Sequence, residues 1–322
     1  MFRCSTYNRL IIPALLICIS HLLNASRATI DCSLSFPQGV AVSQNTIYIP
    51  FRLVGRLIAV EARVDTQSGI FFLDTGASDL LLNDNYFESE VTVASMKNIG
   101  VGGQIGSLRT RRVDTLFWDG LEITQLEGHV VSLTHIEETK RTKVIGVLGY
   151  EVFRDFEVLI DYGIRQLIVT RVDRKGNRLD RDAIFQIPAD SMDFKLIGHC
   201  IQVQAQVNGA KLKLGLDTGA ELNLLDAKVK RKALDNFEIL RRTTMTGADG
   251  KVIEVLAGVL HGMQLDIEQK IGMRTLLTRM WKINDAMGTN LDGILGYEFL
   301  FDKRVLINYK KEKLYFFEPL RS

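Results

Sequence analysis

Two aspartates stand in one four-residue setting, Asp74-Thr75-Gly76-Ala77 and Asp217-Thr218-Gly219-Ala220. A glycine two positions after the acid permits a tight turn that a Cβ would obstruct, so each carboxyl is aimed outward from the chain. Brought face to face, two carboxylates cannot both ionise; they share a proton. One can then take a proton from water while the other gives one to a carbonyl oxygen. That is hydrolysis by general acid and base, with no metal, no cofactor and no covalent intermediate. The intervening Thr75 and Thr218 can each bond the opposite loop.

The elements that must hold these acids are themselves repeated. With Phe51 set over Phe194, an offset of 143 (194 minus 51), the chain aligns without a gap from FRLVGRLIAVEARVDTQSGIFFLDTGA to FKLIGHCIQVQAQVNGAKLKLGLDTGA. Downstream, VIGVLGYEVF (144–153) matches LDGILGYEFL (291–300) at an offset of 147 (291 minus 144), and LIDY (159–162) matches LINY (306–309). The small difference in offset is a loop-length difference, so each repeat is a complete lobe. Val60, Ala62 and Val64 alternate with Glu61 and Arg63, and Val203, Ala205 and Val207 with Gln202, Gln204 and Gln206, which predicts a half-buried strand in each lobe. The chain is 46% hydrophobic in short alternating runs with near-average charge, which predicts a globular, mainly β protein with a few short helices. Helices are predicted over 227–240 and 274–286.

These residues resemble the aspartic peptidases, over about residues 40 to 319. The resemblance implies two related β-barrel lobes on one chain, each giving one Asp to a shared cleft. Ala after Gly in both copies is closer to the retroviral type than to pepsin. It implies Asp74 and Asp217 as the catalytic pair, with Thr75, Thr218, Gly76 and Gly219 locking the loops together. Val147-Leu148-Gly149 and Ile294-Leu295-Gly296 resemble the segments that pass beside the catalytic loops. Flap tips fall at Gly102, Gly103 and Gln104 and at Ala248, Asp249 and Gly250, although ordinary hairpin turns explain these glycines equally well. No match to the flap Tyr of pepsin is present. Substrate-contacting positions after the loops hold Ser78 and Asp79 in one lobe and Glu221 and Leu222 in the other, which implies unequal subsites.

The first 28 residues read as an export signal: Arg3 and Arg9, an apolar stretch over 10–23, then Ser26-Arg27-Ala28 for cleavage. That stretch of fourteen residues, interrupted by Pro13 and His21, falls short of the roughly 20 a membrane span needs. Lobe one then occupies 29–172, an interlobe linker 173–184 and lobe two 185–322. Loss of three Arg and no acid takes the formal charge from +2 to −1, which offers nothing to nucleic acid. Of four cysteines, Cys32 and Cys200 survive such cleavage; a disulfide and a buried free thiol are both open. The five histidines show no metal-ligand spacing, and His199, aligned with Arg56, reads as an ordinary strand-edge residue. The expectation is an exported, monomeric aspartic endopeptidase acting on a peptide or protein. The alternative is a peptide-binding protein that keeps the fold without turnover. With no hydroxyl on Ala77 or Ala220 to bond the carboxylates, the active pH window is expected to be mildly acidic to near neutral.

Overall fold

A computed structural model describes residues 39–89, 91–93, 108–180, 183, 186–247, 251–266 and 269–318. The proposed signal segment, Cys32 and both sets of flap-tip residues (Gly102, Gly103, Gln104; Ala248, Asp249, Gly250) lie outside the described residues.

The alternating runs form the walls of two barrels. In lobe one, Leu57–Val64, Gln67–Leu73, Gly146–Leu148, Leu80–Asn83, Leu121–Val131 and Leu108–Trp118 are hydrogen-bonded in that order, and Leu108–Trp118 returns to pair with Leu57–Val64. Lobe two repeats the circuit with Cys200–Val207, Ala210–Leu216, Gly293–Leu295, Asn223–Asp226, Gln269–Thr278 and Val252–Gln264. Leu57–Val64 and Cys200–Val207 share one burial pattern, in which Val60, Ala62 and Val64, and Val203, Ala205 and Val207, point into the barrels. Phe71, Phe153 and Trp118 fill lobe one, and Phe299 with Leu212 and Leu214 fills lobe two. Each such side chain contributes about 1.5–3 kcal/mol by leaving water.

A third sheet belongs to both lobes. Its seven strands run Val40–Ala41, Thr46–Pro50, Gln166–Arg171, Phe156–Asp161, Arg304–Asn308, Lys313–Phe317 and Asp190–Asp193. The matched blocks LIDY and LINY meet at its centre, antiparallel, with Leu159 opposite Leu306. Arg304 Nε donates to Asp161 Oδ2 at 2.5 Å, an ion pair between these two central strands. The segment after Gln166–Arg171 is pinned to this sheet rather than free in solvent: Asp173 caps a turn through the N–H groups of Lys175 and Asn177, Arg178 pairs with Glu157, and Asn308 Nδ2 donates to Gly176 O.

Both predicted helices are corrected. Within 227–240 only Arg231–Leu234 is helical, and Phe237–Thr246 is a strand along Val252–Gln264. Val229 and Ala233 bury one helical turn, but Phe237–Thr246 has its own partner in the sheet, and its largely exposed face accommodates the charges that suggested a helix. Within 274–286 the chain remains a strand to Thr278, because Thr275 to Thr278 pair in parallel with Asn223 to Asp226; the helix is Trp281–Met287. Ladder pairing overrides weak helix propensity here.

Candidate active site

Each Asp-Thr-Gly loop follows a buried strand, and a neighbouring strand fixes the point where it turns. Gly146–Leu148 runs parallel to Gln67–Leu73, so Leu148 O accepts from Asp74 N at 3.0 Å; Leu295 O accepts from Asp217 N at 2.9 Å in lobe two. Beyond these strands the chain bends back, with Tyr150 N–H bonding Ala77 O and Tyr297 N–H bonding Ala220 O. Contact is so close that a Cβ at Gly149 would lie 2.3 Å from Asp79 O, and one at Gly296 2.3 Å from Ala220 O. This accounts for the glycine in both copies of LGYE.

The loops meet tip to tip. Thr75 N–H donates to Thr218 Oγ1 and Thr218 N–H to Thr75 Oγ1, both at 3.0 Å. The same hydroxyls donate onward, Thr75 to Leu216 O and Thr218 to Leu73 O, so each reaches into the other lobe's strand. A valine in either place would leave buried carbonyl and N–H groups unsatisfied. Gly76 and Gly219 face the opposite acid: a Cβ on Gly76 would sit 2.7 Å from Asp217 Cγ, and one on Gly219 2.4 Å from Asp74 Cγ. Only glycine lets the carboxyls stand in contact.

Asp74 and Asp217 are both buried. Asp74 Oδ1 accepts from the N–H groups of Gly76 and Ala77, and Asp217 Oδ1 from that of Gly219. Their Oδ2 atoms have no bond partner among the described residues. Burial raises the pKa of both; Asp217 goes well above the usual carboxylate range because the Asp74 charge beside it adds to the effect. Asp74 rises less, since Asp217 and the loop N–H groups bond to its charged form. The pair is therefore suited to holding a single proton over an interval of pH.

Aromatic side chains floor the pair in a matched arrangement. Tyr162 packs edge-on against Phe51 of its own lobe and Tyr297 of the other, and Tyr309 against Phe194 and Tyr150. Both phenols are fully buried and pushed upward in pKa by that burial, so they stay neutral.

The residues after the two loops are not equivalent. Glu221 Oε1 accepts from Arg56 N at 3.0 Å and from Lys140 Nζ at 2.7 Å, a buried contact between lobes. Arg56 Nη1 also bonds Glu298 Oε1 at 2.6 Å, and Arg274 shares that carboxylate. In lobe one the matching Ser78 bonds its neighbour Asp79, whose carboxylate lies 3.7 Å from His129 Nε2. The residue aligned with Arg56 is His199, and the strand-edge reading of it is corrected. It is buried, and its Nε2 lies 3.0 Å from Gly76 O. A carbonyl only accepts, so that nitrogen carries the hydrogen. Burial lowers its pKa, which favours the neutral ring. Its alignment with Arg56, polar in both copies, was the available signal, and it does not show that the side chain crosses to the opposite loop. Lys140 had none, since its partner is 81 residues away. Cys200, beside His199, is buried as a free thiol. No group of three or more metal-ligating side chains exists among the described residues.

Residues 203–299 match the family model described as aspartyl protease. No curated protein sequence matches. Among solved structures, the chain is similar to the crystal structure of aspartic proteinase from Irpex lacteus, at 11% identity and a TM-score of 0.47, covering 85% of this chain and 98% of that one. The matched stretch spans the second Asp-Thr-Gly loop and the LGYE segment behind it, so residues 203–299 carry the aspartyl protease family's pattern.

Proposed function

We propose that the protein is an exported aspartic endopeptidase in which Asp74 and Asp217 share one proton and activate a water between them. The observation that carries this reading is the facing pair itself, two buried acids locked by reciprocal Thr75 and Thr218 bonds, each with an unengaged Oδ2. The ionised acid takes a proton from the water as its oxygen attacks the peptide carbonyl carbon. The protonated acid gives its proton to the carbonyl oxygen. Collapse of the resulting diol breaks the C–N bond as the amine nitrogen takes a proton from the pair and one diol hydroxyl gives its proton back to the pair, leaving a carboxylic acid, a free amine and the shared proton restored. Both acids are raised by burial and titrate as a pair that holds the one proton between them. The substrate is an extended peptide lying between the lobes, and the chain acts as a monomer because both acids are on it. Export rests on the first 28 residues, and N-terminal sequencing of the protein from its host is expected to begin at or near Thr29.

The test is cleavage of a peptide library by the protein beginning at Thr29. Hydrolysis is expected to stop with a statine-type inhibitor that mimics the diol, and to be indifferent to EDTA and to serine or cysteine reagents. Absence of any cleavage, with peptide binding retained, would favour the non-catalytic alternative.

A further inference from the structure

Beside the catalytic loops lies a cleft of about 800 Å³ walled by both lobes. Lobe one supplies Arg56, Lys140 and Arg141; lobe two supplies Glu221 and Leu222 of its catalytic loop, together with Arg241 and Arg274. Its charge is lopsided. Five cations line it against two carboxylates, Glu138 and Glu221, and Glu298 below adds a third.

The pairing decides which cations are available to a ligand. Lys140 is spent on Glu221 in a buried contact, and Arg56 and Arg274 both hold Glu298. Arg141 and Arg241 have no ion pair or hydrogen bond with a side chain among the described residues, and both are exposed. They approach from different lobes. Arg141 closes the helix Thr134–Lys140 in a left-handed conformation (φ 51°), which turns the chain at the cleft wall. Arg241 sits where the ladder between Phe237–Thr246 and Val252–Gln264 shifts register, an irregularity that bends a strand and re-aims its side chains.

The cleft is also close to the reacting bond. Glu221 is four positions from Asp217, hence at most about 15 Å from it along the chain, or about four residues of an extended peptide. The turn in which Ala220 N–H bonds Asp217 O shortens this further.

We propose that this cleft is a substrate subsite for an acidic side chain, with Arg141 and Arg241 as its specificity-determining residues. The inference rests on the peptide-cleaving reading for its place in a reaction, but not for its test. The counterpart end of the site, with Ser78 in place of Glu221 and His199 in place of Arg56, has no equivalent pair of unengaged guanidinium groups among the described residues. The acidic preference is assigned to the side of the scissile bond on which this cleft lies.

Equilibrium binding of labelled peptides about a dozen residues long, with Glu and Gln exchanged at each position in turn, reads the preference without turnover. At one position, within about four residues of the peptide centre, Glu is expected to bind about fivefold more tightly than Gln, the scale of a well-placed partly exposed ion pair. High salt is expected to erode the difference. The double variant Arg141→Asn, Arg241→Gln should bring the two peptides to parity; Asn is chosen because it tolerates the left-handed backbone. Arg241→Glu alone should turn the preference toward Lys at that position. A Glu preference that survives the double variant, or no Glu preference at any position, overturns the inference. An inactive protein that still discriminates Glu from Gln would remove the peptidase reading and leave the subsite standing. An active one without discrimination would do the reverse.

Discussion

At the two ends of the Asp74–Asp217 pair, one backbone plan is fastened by different chemistry. Arg56 and His199 stand at the same place in the repeat, and each crosses to the opposite loop. Arg56 does so as a permanent cation inside a network with Glu221, Lys140, Glu298 and Arg274. His199 does so as a neutral ring donating to one carbonyl. The loop tips between them, Thr75 with Thr218 and Gly76 with Gly219, kept their symmetry. The proposed reaction needs both acids in equal contact, which calls for a symmetric centre, while the ends would meet different parts of a substrate and are free to differ.

The largest expected effect tests the symmetric centre. Asp74→Asn and Asp217→Asn should each lower kcat/KM by at least about 10³-fold, because one amide ends proton sharing. Circular dichroism should show both folded. Both carboxyls have raised native pKa values, so the stability they contribute is present below the unfolded carboxylate value and is lost as pH rises through the native one. Each Asn variant should therefore be more stable than wild type at pH 7, by about 1–3 kcal/mol, and should lose that advantage near pH 3. A variant that keeps activity, or one less stable at neutral pH, contradicts the shared-proton pair.

Next comes the contrast between the ends. Glu221→Gln leaves the buried Lys140 ammonium without its carboxylate and should cost about 3–5 kcal/mol in urea unfolding. Ser78→Ala, the equivalent change in lobe one, removes a hydroxyl from a part-exposed contact and should cost about 1 kcal/mol or less. Equal costs would mean that the asymmetry in the structure has no energetic counterpart.

The smallest effect belongs to His199. Its native pKa is lowered, so the stability it contributes is full above the ordinary imidazole value and falls away as pH drops through the native one. His199→Gln can keep an N–H donor toward Gly76 O and does not titrate. Thermal melts of the variant should match wild type near pH 8 and lack the added acid-side slope below about pH 6.5. An unchanged slope would place the titration elsewhere.

Much of the site was legible because the chain states it twice. The gap-free offset from Phe51 to Asp74 aligned both acids, both threonines and the strands behind them, and the glycines of LGYE stood out by recurrence. Repetition speaks less clearly about contacts between lobes. LIDY and LINY were visible as matching blocks, yet their pairing with each other, Leu159 to Leu306, joins residues 147 positions apart. The two helix expectations failed for a related reason: Thr275 to Thr278 become strand only because Asn223 to Asp226 lie alongside. His199 was misread because an alignment shows that a position is polar in both lobes, not that it points across the interface.

The central pairing of Phe156–Asp161 with Arg304–Asn308 has a consequence for how the chain is made. All six residues of Phe156–Asp161 are buried in the finished molecule, and one of the strand's two edges is supplied by sequence 143 residues further on. At about 5–20 residues per second, a ribosome needs roughly 7–30 s to deliver that partner. Until then FEVLID is an unprotected apolar edge, the kind of template on which chains aggregate. A fragment ending near residue 172 would keep that edge permanently, and its simplest escape is to pair with a second copy of itself. Lobe one made alone is therefore expected to recover from solution as a dimer or an aggregate rather than as a stable single lobe.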